Sequence, residues 1–341
     1  MFYPRDAPFW QTFTQLMHAA ADDLNIELTT YSAKGNRLLM KQQFLSVLSG
    51  ENKVDAVMFN NYKDSASQFI KLANDAKVYA FLVNSAMTNN KIKEMGKPRE
   101  KYPYWIGQML PDEAGANQKI IEILIDKAKL NNQNRPIDVI GINGPISSGA
   151  AIMRINALKD TLNSIPDTNL LQVVHSEDWS EKEASKKFKS LMRRYPGTQV
   201  VWAGSARMVD GILQAENEIE IRAGKDYFTG GVGFKNSMLE AIQNNRVSAC
   251  AGGHYIEGAW ALVLLYDYLN GKDFVSEGVE LQTQMGIVNK ENVAIYLENL
   301  SEKKWNSNYF KNINFKQYSK SYNPGLMRYD FDFDSIMLQL Y

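Results

Sequence analysis

Apolar and polar residues alternate along this chain in two ways. Short runs such as residues 54–60 and 137–142 are apolar on both faces and predict buried strands. Between the runs, apolar residues recur every three or four positions, as Trp10, Phe13 and Met17 do, which predicts helices with one buried face. Repeated alternation of such strands and helices predicts a parallel sheet covered by helices.

The alternation occurs twice. The first series predicts strands at residues 1–3, 26–31, 54–60, 78–84 and 104–109, and helices at 9–24, 38–49, 65–76 and 112–130. The helix at 38–49 should end at Gly50, and the polar stretch 89–103 is expected to be a surface excursion.

The second series predicts strands at 137–142, 170–175, 199–203, 228–233 and 248–251, and helices at 149–164, 180–194, 208–217, 237–244 and 256–269. A further strand is predicted at 282–288, before a helix that starts at Asn292 and an aromatic-rich tail from Trp305 to Tyr341. We therefore predict an α/β protein of two similar lobes, each a parallel sheet flanked by helices.

Composition excludes several classes of protein. The chain has 341 residues, which is more than one hydrophobic core usually organises. Lys plus Arg (38) equals Asp plus Glu (38), so no net charge draws the protein to nucleic acid or to an anionic membrane. We find no signal peptide and no run of about 20 apolar residues that would insert into a membrane. The single Cys250 has no disulfide partner within the chain and is predicted to be buried.

Motifs for catalysis are missing. His18, His175 and His254 lack the spacing of metal ligands, and the loop from Gly141 to Gly149 does not match a phosphate-binding motif. Ser148 and Ser205 have no identifiable base nearby in sequence. We therefore predict no enzyme activity, no catalytic residue, no metal and no cofactor.

Ordered motifs along nearly the whole chain resemble one known family. They are PFW at 8–10, AADDLNIEL at 20–28, VDAVMFN at 54–60, LVN at 82–84, YWIGQMLPDEAG at 104–115, the glycine-containing loop and helix at 141–154, DWS at 178–180, VVWAGSARMVDG at 200–211, GGVGF at 230–234 and GGHYIEGAWALVLLYDYLNG at 252–271. This order resembles the ribose- and galactose-binding group of type I periplasmic binding proteins, the substrate-binding proteins of sugar ABC transporters. Effector domains of lactose-repressor-like regulators share that fold, but no helix-turn-helix precedes the first strand here.

The resemblance implies a lobe of residues 1–112 plus 252–283, a lobe of residues 113–251 plus 284–310, and a tail of residues 311–341 that packs on the lobes. Crossing strands would join the lobes, with a ligand cleft between them. The implied function is that of a periplasmic solute-binding protein, which captures a small polar ligand by hinge closure and presents it to the membrane permease of an ABC transporter. The alternative is a ligand-sensing component for a sensor kinase. No nucleic acid partner is expected.

Candidate ligand-binding residues follow from the strand ends, where ligands of parallel sheets bind. They are Phe9, Trp10, Asn60, Asn84, Arg154, Trp179, Ser205, Lys235 and His254. The aromatic rings suit the C–H faces of a sugar, and the planar polar groups suit its hydroxyls. The alternative for Phe9 and Trp10 is a core contact at the start of the helix, although we expect at least one of them to face the cleft.

Four residues, at three places in the chain, depart from the pattern of the family. Asn84 stands where an acidic residue is usual, Ser205 and Ala206 replace a pair of Asn or Asp residues, and Lys235 replaces an Asp. Arg154, Lys235 and His254 would then form a cationic pocket. We therefore predict a polar ligand that is a sugar or sugar-like compound. One hypothesis gives this ligand a negative charge; the alternative is that Lys235 points to solvent and only the geometry of the sugar site has changed.

Overall fold

A computed structural model describes residues 1–49, 54–131, 136–300 and 307–340. Gly50, Trp305 and Tyr341, named above in the predicted helix end and tail, lie outside these residues. The chain forms two compact units. The first consists of Met1–Pro111, His254–Gln284 and Lys304–Tyr341, and the second of Asp112–Gly253 and Met285–Lys303.

The first unit alternates strands and helices in its N-terminal part. In chain order these are β1 (Phe2–Tyr3), α1 (Pro8–Leu24), β2 (Tyr31–Ser32), α2 (Arg37–Ser49), β3 (Ala56–Phe59), α3 (Ala66–Asp75), β4 (Tyr79–Val83), α4 (Asn89–Met95) and β5 (Trp105–Pro111). Its sheet has the strand order β11-β5-β4-β3-β1-β2, where β11 is Glu280–Thr283, and every pairing in it is parallel. Inside this unit, the rings of Phe44 and Phe69 stack with their centroids 4.3 Å apart.

The second unit repeats the same arrangement. It contains α5 (Glu113–Asn131), β6 (Ile137–Asn143), α6 (Gly149–Ser164), β7 (Thr168–His175), α7 (Glu181–Arg194), β8 (Val200–Ala203), α8 (Ala206–Ile219), β9 (Phe228–Val232), α9 (Asn236–Gln243) and β10 (Ala249–Gly252). After β10 the chain enters the first unit as α10 (Glu257–Leu269) and β11, and it returns to the second unit as β12 (Gly286–Asn289) and α11 (Val293–Asn299). The sheet order is β12-β10-β9-β8-β6-β7, and β12 is antiparallel to β10. The predicted α/β class of two lobes is confirmed, with one antiparallel edge strand.

The strand predicted over residues 282–288 is two strands in the structure. β11 ends at Thr283 in the first unit, and β12 begins at Gly286 in the second. The predicted strand at 26–31 is also wrong, because only Tyr31 and Ser32 pair with β1. The expected surface excursion at 89–103 contains α4, which buries Met95.

The C-terminal part of the chain packs on the first unit. It contains α12 (Ser307–Phe310) and α13 (Phe333–Gln339), and α12 lies against α1. The side chain of Asp267 on α10 is fully buried and accepts hydrogen bonds from this segment. Residues 307–310, which the sequence analysis assigned to the second lobe, thus group with the first unit.

Candidate ligand-binding site

Candidate residues of the first unit follow the carboxyl ends of its parallel strands. Asn60 comes directly after β3 and Asn84 directly after β4. Phe59 pairs in register with Leu82, so the two asparagines leave neighbouring strands at almost the same level. Asn60 is buried, and its Oδ1 has no hydrogen-bond partner among the described residues. A buried amide oxygen without a partner is costly, which makes Asn60 a candidate acceptor for a ligand hydroxyl.

Asn84 is held by a buried carboxylate. Its Nδ2 donates to Glu257 Oε2 at 3.2 Å, and Thr283 Oγ1 donates to the other oxygen of Glu257. Glu257 is fully buried at the start of α10. The family pattern has an acidic side chain at position 84. In this chain the residue there is an amide, and the nearby acid is Glu257 from a different element, which accepts a hydrogen bond from Asn84.

Phe9, Trp10 and His254 form one aromatic cluster. The rings of Phe9 and His254 lie 4.8 Å apart, and those of Phe9 and Trp10 meet edge to face at 5.1 Å. Trp10 is buried and also packs on Phe13 and Tyr3, whereas Phe9 is half-buried. The core-contact alternative therefore describes Trp10, and Phe9 is the ring of the pair with exposed area for a ligand.

Arg154 is the centre of the candidate site in the second unit. Its Nε donates to Glu113 Oε2 at 2.6 Å and its Nη2 to Glu113 Oε1 at 2.5 Å, and both side chains are buried. Its Nη1 donates to the carbonyl oxygen of Gly204 at 2.6 Å. The bidentate contact neutralises the guanidinium and fixes its plane.

The indole of Trp179 covers this ion pair. The Arg154 guanidinium carbon lies 5.4 Å from the centre of the Trp179 ring, within the range of a cation–π contact. A Cβ atom at Gly144 would lie 2.2 Å from that ring and one at Gly204 3.1 Å, so glycine is required at Gly144 for the indole to fit. Trp179 has φ of 60°, a left-handed conformation that is costly for a bulky residue. The packing of the indole against Gly144 and Arg154 therefore keeps the backbone of Trp179 in this costly conformation.

Asn143 ends β6 beside Trp179 and Gly204. Its side chain is fully buried, Nδ2 donates to the carbonyl oxygen of Ala151 at 2.8 Å, and Oδ1 has no partner among the described residues. His175, at the end of β7, is within 2.9 Å of the Gly144 carbonyl oxygen through Nδ1 and so supports the same loop. Asn143 is a second candidate acceptor.

The structure gives Ser205 and Lys235 other roles. The Ser205 hydroxyl accepts the Met208 N–H and caps α8. Lys235 pairs with the carboxylate of Asp210 and lies 3.5 Å from Glu181 Oε1. Burial opposes the charge of Lys235, but the hydrogen bond and charge of Asp210, with Glu181, raise its pKa above the ordinary value.

Arg154 and Lys235 are thus held by different carboxylates, Glu113 for the former and Asp210 with Glu181 for the latter. Each cation is compensated within the second unit. Among the described residues of this unit, the structure therefore gives the predicted cationic pocket no excess positive charge.

Comparisons with known proteins identify the family. The profile of the periplasmic binding protein domain matches residues 1–273. The chain belongs to this family. No curated protein is significantly similar to it in sequence.

Solved structures of this fold are similar over most of the chain. A periplasmic sugar-binding protein from Pseudomonas fluorescens is 26% identical with a TM-score of 0.86, covering 99% of this chain and 98% of that one. A galactofuranose-binding protein is 16% identical with a TM-score of 0.75, covering 87% and 96%. The binding protein of the arabinose ABC transporter from Shewanella sp. ANA-3 is 18% identical with a TM-score of 0.75, covering 89% and 95%. The last two similarities concern the fold alone.

Three residues of this family member were missed from the sequence. Glu113 and Glu257 lie in the first turns of α5 and α10, where an acid is favourable at any helix N-terminus, so their positions did not mark them as site residues. Asn143 looked like the last residue of a strand. A usable signal in the sequence was the pair of adjacent acids, Asp112 and Glu113, at the start of α5. One acid is enough to accept a helix N–H, as Asp112 does from Gly115 in the structure, so the second was available for another role. None of the helices in the described ranges combines the length and the hydropathy that a membrane span needs.

Proposed function

We propose that this chain is a periplasmic solute-binding protein that captures a small, neutral, carbohydrate-like ligand and presents it to the permease of an ABC transporter. The observation that carries the proposal is the family match over residues 1–273. The similar protein from Pseudomonas fluorescens is described as a periplasmic sugar-binding protein, and the Shewanella protein serves an arabinose transporter. No finding favours the sensor-kinase alternative.

A neutral ligand follows from the charges of the second unit. Glu113 compensates Arg154, and Asp210 compensates Lys235. A ligand carboxylate or phosphate beside Arg154 would face the Glu113 carboxylate, and the repulsion would offset its attraction to the guanidinium. Sugar hydroxyls, which both donate and accept hydrogen bonds, meet no such repulsion.

Hydrogen-bonding capacity remains for such a ligand. Arg154 engages three of its N–H groups with Glu113 and Gly204, and a guanidinium has about five in all, which leaves about two for ligand oxygens. Asn143 and Asn60 each provide an amide oxygen without a partner among the described residues. The Trp179 ring provides area for the C–H face of a sugar. These groups bind a ligand and release it unchanged, so we propose no turnover.

The first experiment is a ligand panel. Neutral monosaccharides in pyranose and furanose forms and a polyol are compared with sugar acids and sugar phosphates by thermal unfolding and calorimetry. We expect a neutral compound to stabilise the protein, by about 2.7 kcal/mol at a hundred times its Kd. Stabilisation by the sugar acids or phosphates alone would contradict the neutral ligand.

A pair of glycine variants tests the site. In Gly144→Ala the new methyl group collides with the Trp179 ring, so we expect the affinity for the selected ligand to fall at least about tenfold, or about 1.4 kcal/mol. Gly197→Ala, in the same unit, has no atom within 4 Å of the new Cβ and is the matched control. Equal ligand affinity in the two variants would show that Trp179 is not part of the ligand-binding site.

A further inference from the structure

A buried carboxylate lies behind Asn84, one of the candidate ligand-binding residues of the first unit. Glu257 is in the first turn of α10, and its side chain is fully buried. Its Oε2 accepts a hydrogen bond from Asn84 Nδ2 at 3.2 Å, and its Oε1 accepts one from the hydroxyl of Thr283, the last residue of β11. Because both oxygens accept and the N-terminal turn of a helix favours negative charge, Glu257 is held in its ionised form.

This carboxylate determines which way the Asn84 amide faces. An ionised carboxylate only accepts hydrogen bonds, so it attracts the NH₂ group of an asparagine and repels the carbonyl oxygen. The backbone of Asn84 is fixed as well. Its φ is 67°, a left-handed conformation that asparagine tolerates, and its N–H donates to the Met109 carbonyl oxygen at 3.0 Å. With the main chain and the NH₂ group both held, the direction of Oδ1 is determined.

The Oδ1 atom of Asn84 is available to a ligand. Asn84 is half-buried, and Oδ1 accepts no hydrogen bond from any residue that the structure describes. Unlike Oδ1 of Asn60, at the end of the neighbouring strand, it is not enclosed by the protein. Glu257 also follows His254 by three residues, about one helical turn, and the His254 ring packs on Phe9. The carboxylate therefore connects Asn84 to the aromatic cluster of the same candidate site.

We propose that Glu257 is a positioning residue that makes Asn84 a neutral hydrogen-bond acceptor for the ligand. An asparagine amide can donate as well as accept, and Glu257 removes this choice by engaging the NH₂ group. The inference rests on the proposed function and adds to it. The ligand presents a hydroxyl proton to Asn84, and the oxygens of a carboxylate or phosphate group, which have no proton to donate, do not bind there. This selection against anions is independent of the Arg154–Glu113 pair.

The same contact explains why this chain lacks the usual acid of the family at position 84. A carboxylate there would lie at hydrogen-bond distance from Glu257, and two carboxylates that close do not both ionise. One amide and one acid avoid the repulsion and still present an acceptor to the ligand. The reverse arrangement, with the acid at position 84 and the amide at position 257, should serve the same purpose.

The first test observes the amide without any ligand. In the full chain labelled with ¹⁵N-asparagine, the side-chain NMR signal of Asn84 is the one that is absent from Asn84→Asp. We expect the hydrogen bond to Glu257 to slow solvent exchange of its Nδ2 proton. In Glu257→Met, which replaces the carboxylate by an apolar chain of similar length, exchange should accelerate at least about tenfold. Thr283→Val removes the other donor to Glu257 and is the matched control, in which exchange should stay within about twofold of wild type.

The second test measures ligand affinity after a reciprocal exchange. The probes are D-galactose, L-arabinose and myo-inositol, and calorimetry gives the Kd of each probe that binds the wild-type protein. Asn84→Asp alone should weaken binding at least about tenfold, because the two carboxylates repel each other. Adding Glu257→Gln should restore the affinity to within about threefold of wild type, since the new NH₂ group donates to the new carboxylate. A purely structural role of Glu257 would not produce this recovery.

Two results would overturn the positioning role. One is unchanged exchange of the Asn84 amide in Glu257→Met, and the other is a double variant that binds no better than Asn84→Asp. If none of the three probes binds the wild-type protein, the proposed carbohydrate-like ligand fails instead, and the exchange rates alone decide the role of Glu257.

Discussion

The Arg154–Glu113 pair shows how one residue determines the charge of a binding surface. Isolated from its partner, a buried arginine would select an anionic ligand. With both Glu113 oxygens in contact, the guanidinium keeps its rigid array of donors and loses its excess charge. Its remaining N–H groups then select a ligand by the positions of its hydroxyl groups, and these positions differ from one sugar to another.

Breaking this pair should cost stability. In Glu113→Gln the guanidinium remains buried without a countercharge, so we expect the free energy of unfolding to fall by about 3 kcal/mol. Denaturant unfolding measures the change, with the exposed Asp126→Asn on the same helix as control. Adding Arg154→Met to Glu113→Gln should recover much of the loss, since no unpaired buried charge then remains. Surface substitutions scatter by about 0.5 kcal/mol. If the free energy of unfolding of Glu113→Gln is within that range of the control, the pair does not contribute to stability.

Individual positions were predictable from the sequence only in part. Trp179 follows the end of β7 and Arg154 lies on α6, the helix after β6, and the alternation of strands and helices predicted both places. The carboxylates that pair with Arg154 and Lys235 could not be predicted. Glu113 lies 41 residues before Arg154, and Asp210 lies 25 residues before Lys235. A pattern of local periodicity does not specify which distant carboxylate meets which cation.

Among the elements, those with strong periodicity were predicted well, and those that depend on a neighbour were not. The apolar runs of β3, β4 and β6 and the amphipathic α1 are visible in the sequence. Residues 282–288 also look like one strand, but β11 pairs with β5 and β12 pairs with β10. The division at Gln284 and Met285 comes from tertiary pairing, which the local pattern does not encode.

Arg99 joins several elements of the first unit. Its guanidinium lies 5.1 Å from the ring centre of Tyr268 and 4.8 Å from that of Phe274. Nη1 donates to Asp273 Oδ2 and Nε to the Ile106 carbonyl oxygen, both at 2.7 Å. Burial tends to raise the pKa of Asp273, but the hydrogen bond and charge of Arg99, together with hydrogen bonds from the backbone N–H groups of Val275 and Phe274, lower the pKa below its ordinary value of 3.8.

This contact predicts a pH-dependent contribution to stability. Because the pKa of Asp273 is lowered on folding, its contribution is present above pH 3.8 and is lost as the pH falls through the folded-state value. Asp273→Asn should therefore reduce stability at neutral pH by about 0.5–1 kcal/mol, a small effect because the pair is partly exposed. Unfolding from pH 7 to pH 3 measures it, with the exposed Asp75→Asn as control. A difference from wild type that stays constant over the whole range would contradict the ionic contribution.

At the scale of the whole chain, the C-terminal segment is an integral part of the first unit. Asp267 accepts hydrogen bonds from Ser319 Oγ and Lys320 N at 2.6 Å, Tyr329 Oη at 2.9 Å and Ser321 N at 3.0 Å. The rings of Trp260 and Phe331 stack at 5.5 Å beside these bonds. The tail was expected to pack on the lobes, but it lies beyond residue 273, where the family profile ends, so the residues that it contacts were not predicted.

Asp267→Ala removes the acceptor for all four donors. We expect the free energy of unfolding to fall by at least about 3 kcal/mol, because buried donors are left without partners. Hydrogen exchange should accelerate at the amides of Lys320 and Ser321, while β3 and β4 keep their protection. Asp75→Ala serves as the control, and unchanged exchange at those two amides would show that Asp267 does not hold the segment.

The position of β11 has a consequence for the order of events during synthesis. β5 ends at Pro111, but its outer neighbour β11 begins only at Glu280. At ribosomal rates, the edge of β5 therefore stays unpaired for on the order of ten seconds while the second unit is made. An unpaired strand edge is a template for wrong association, so the nascent chain is most vulnerable to aggregation in this interval.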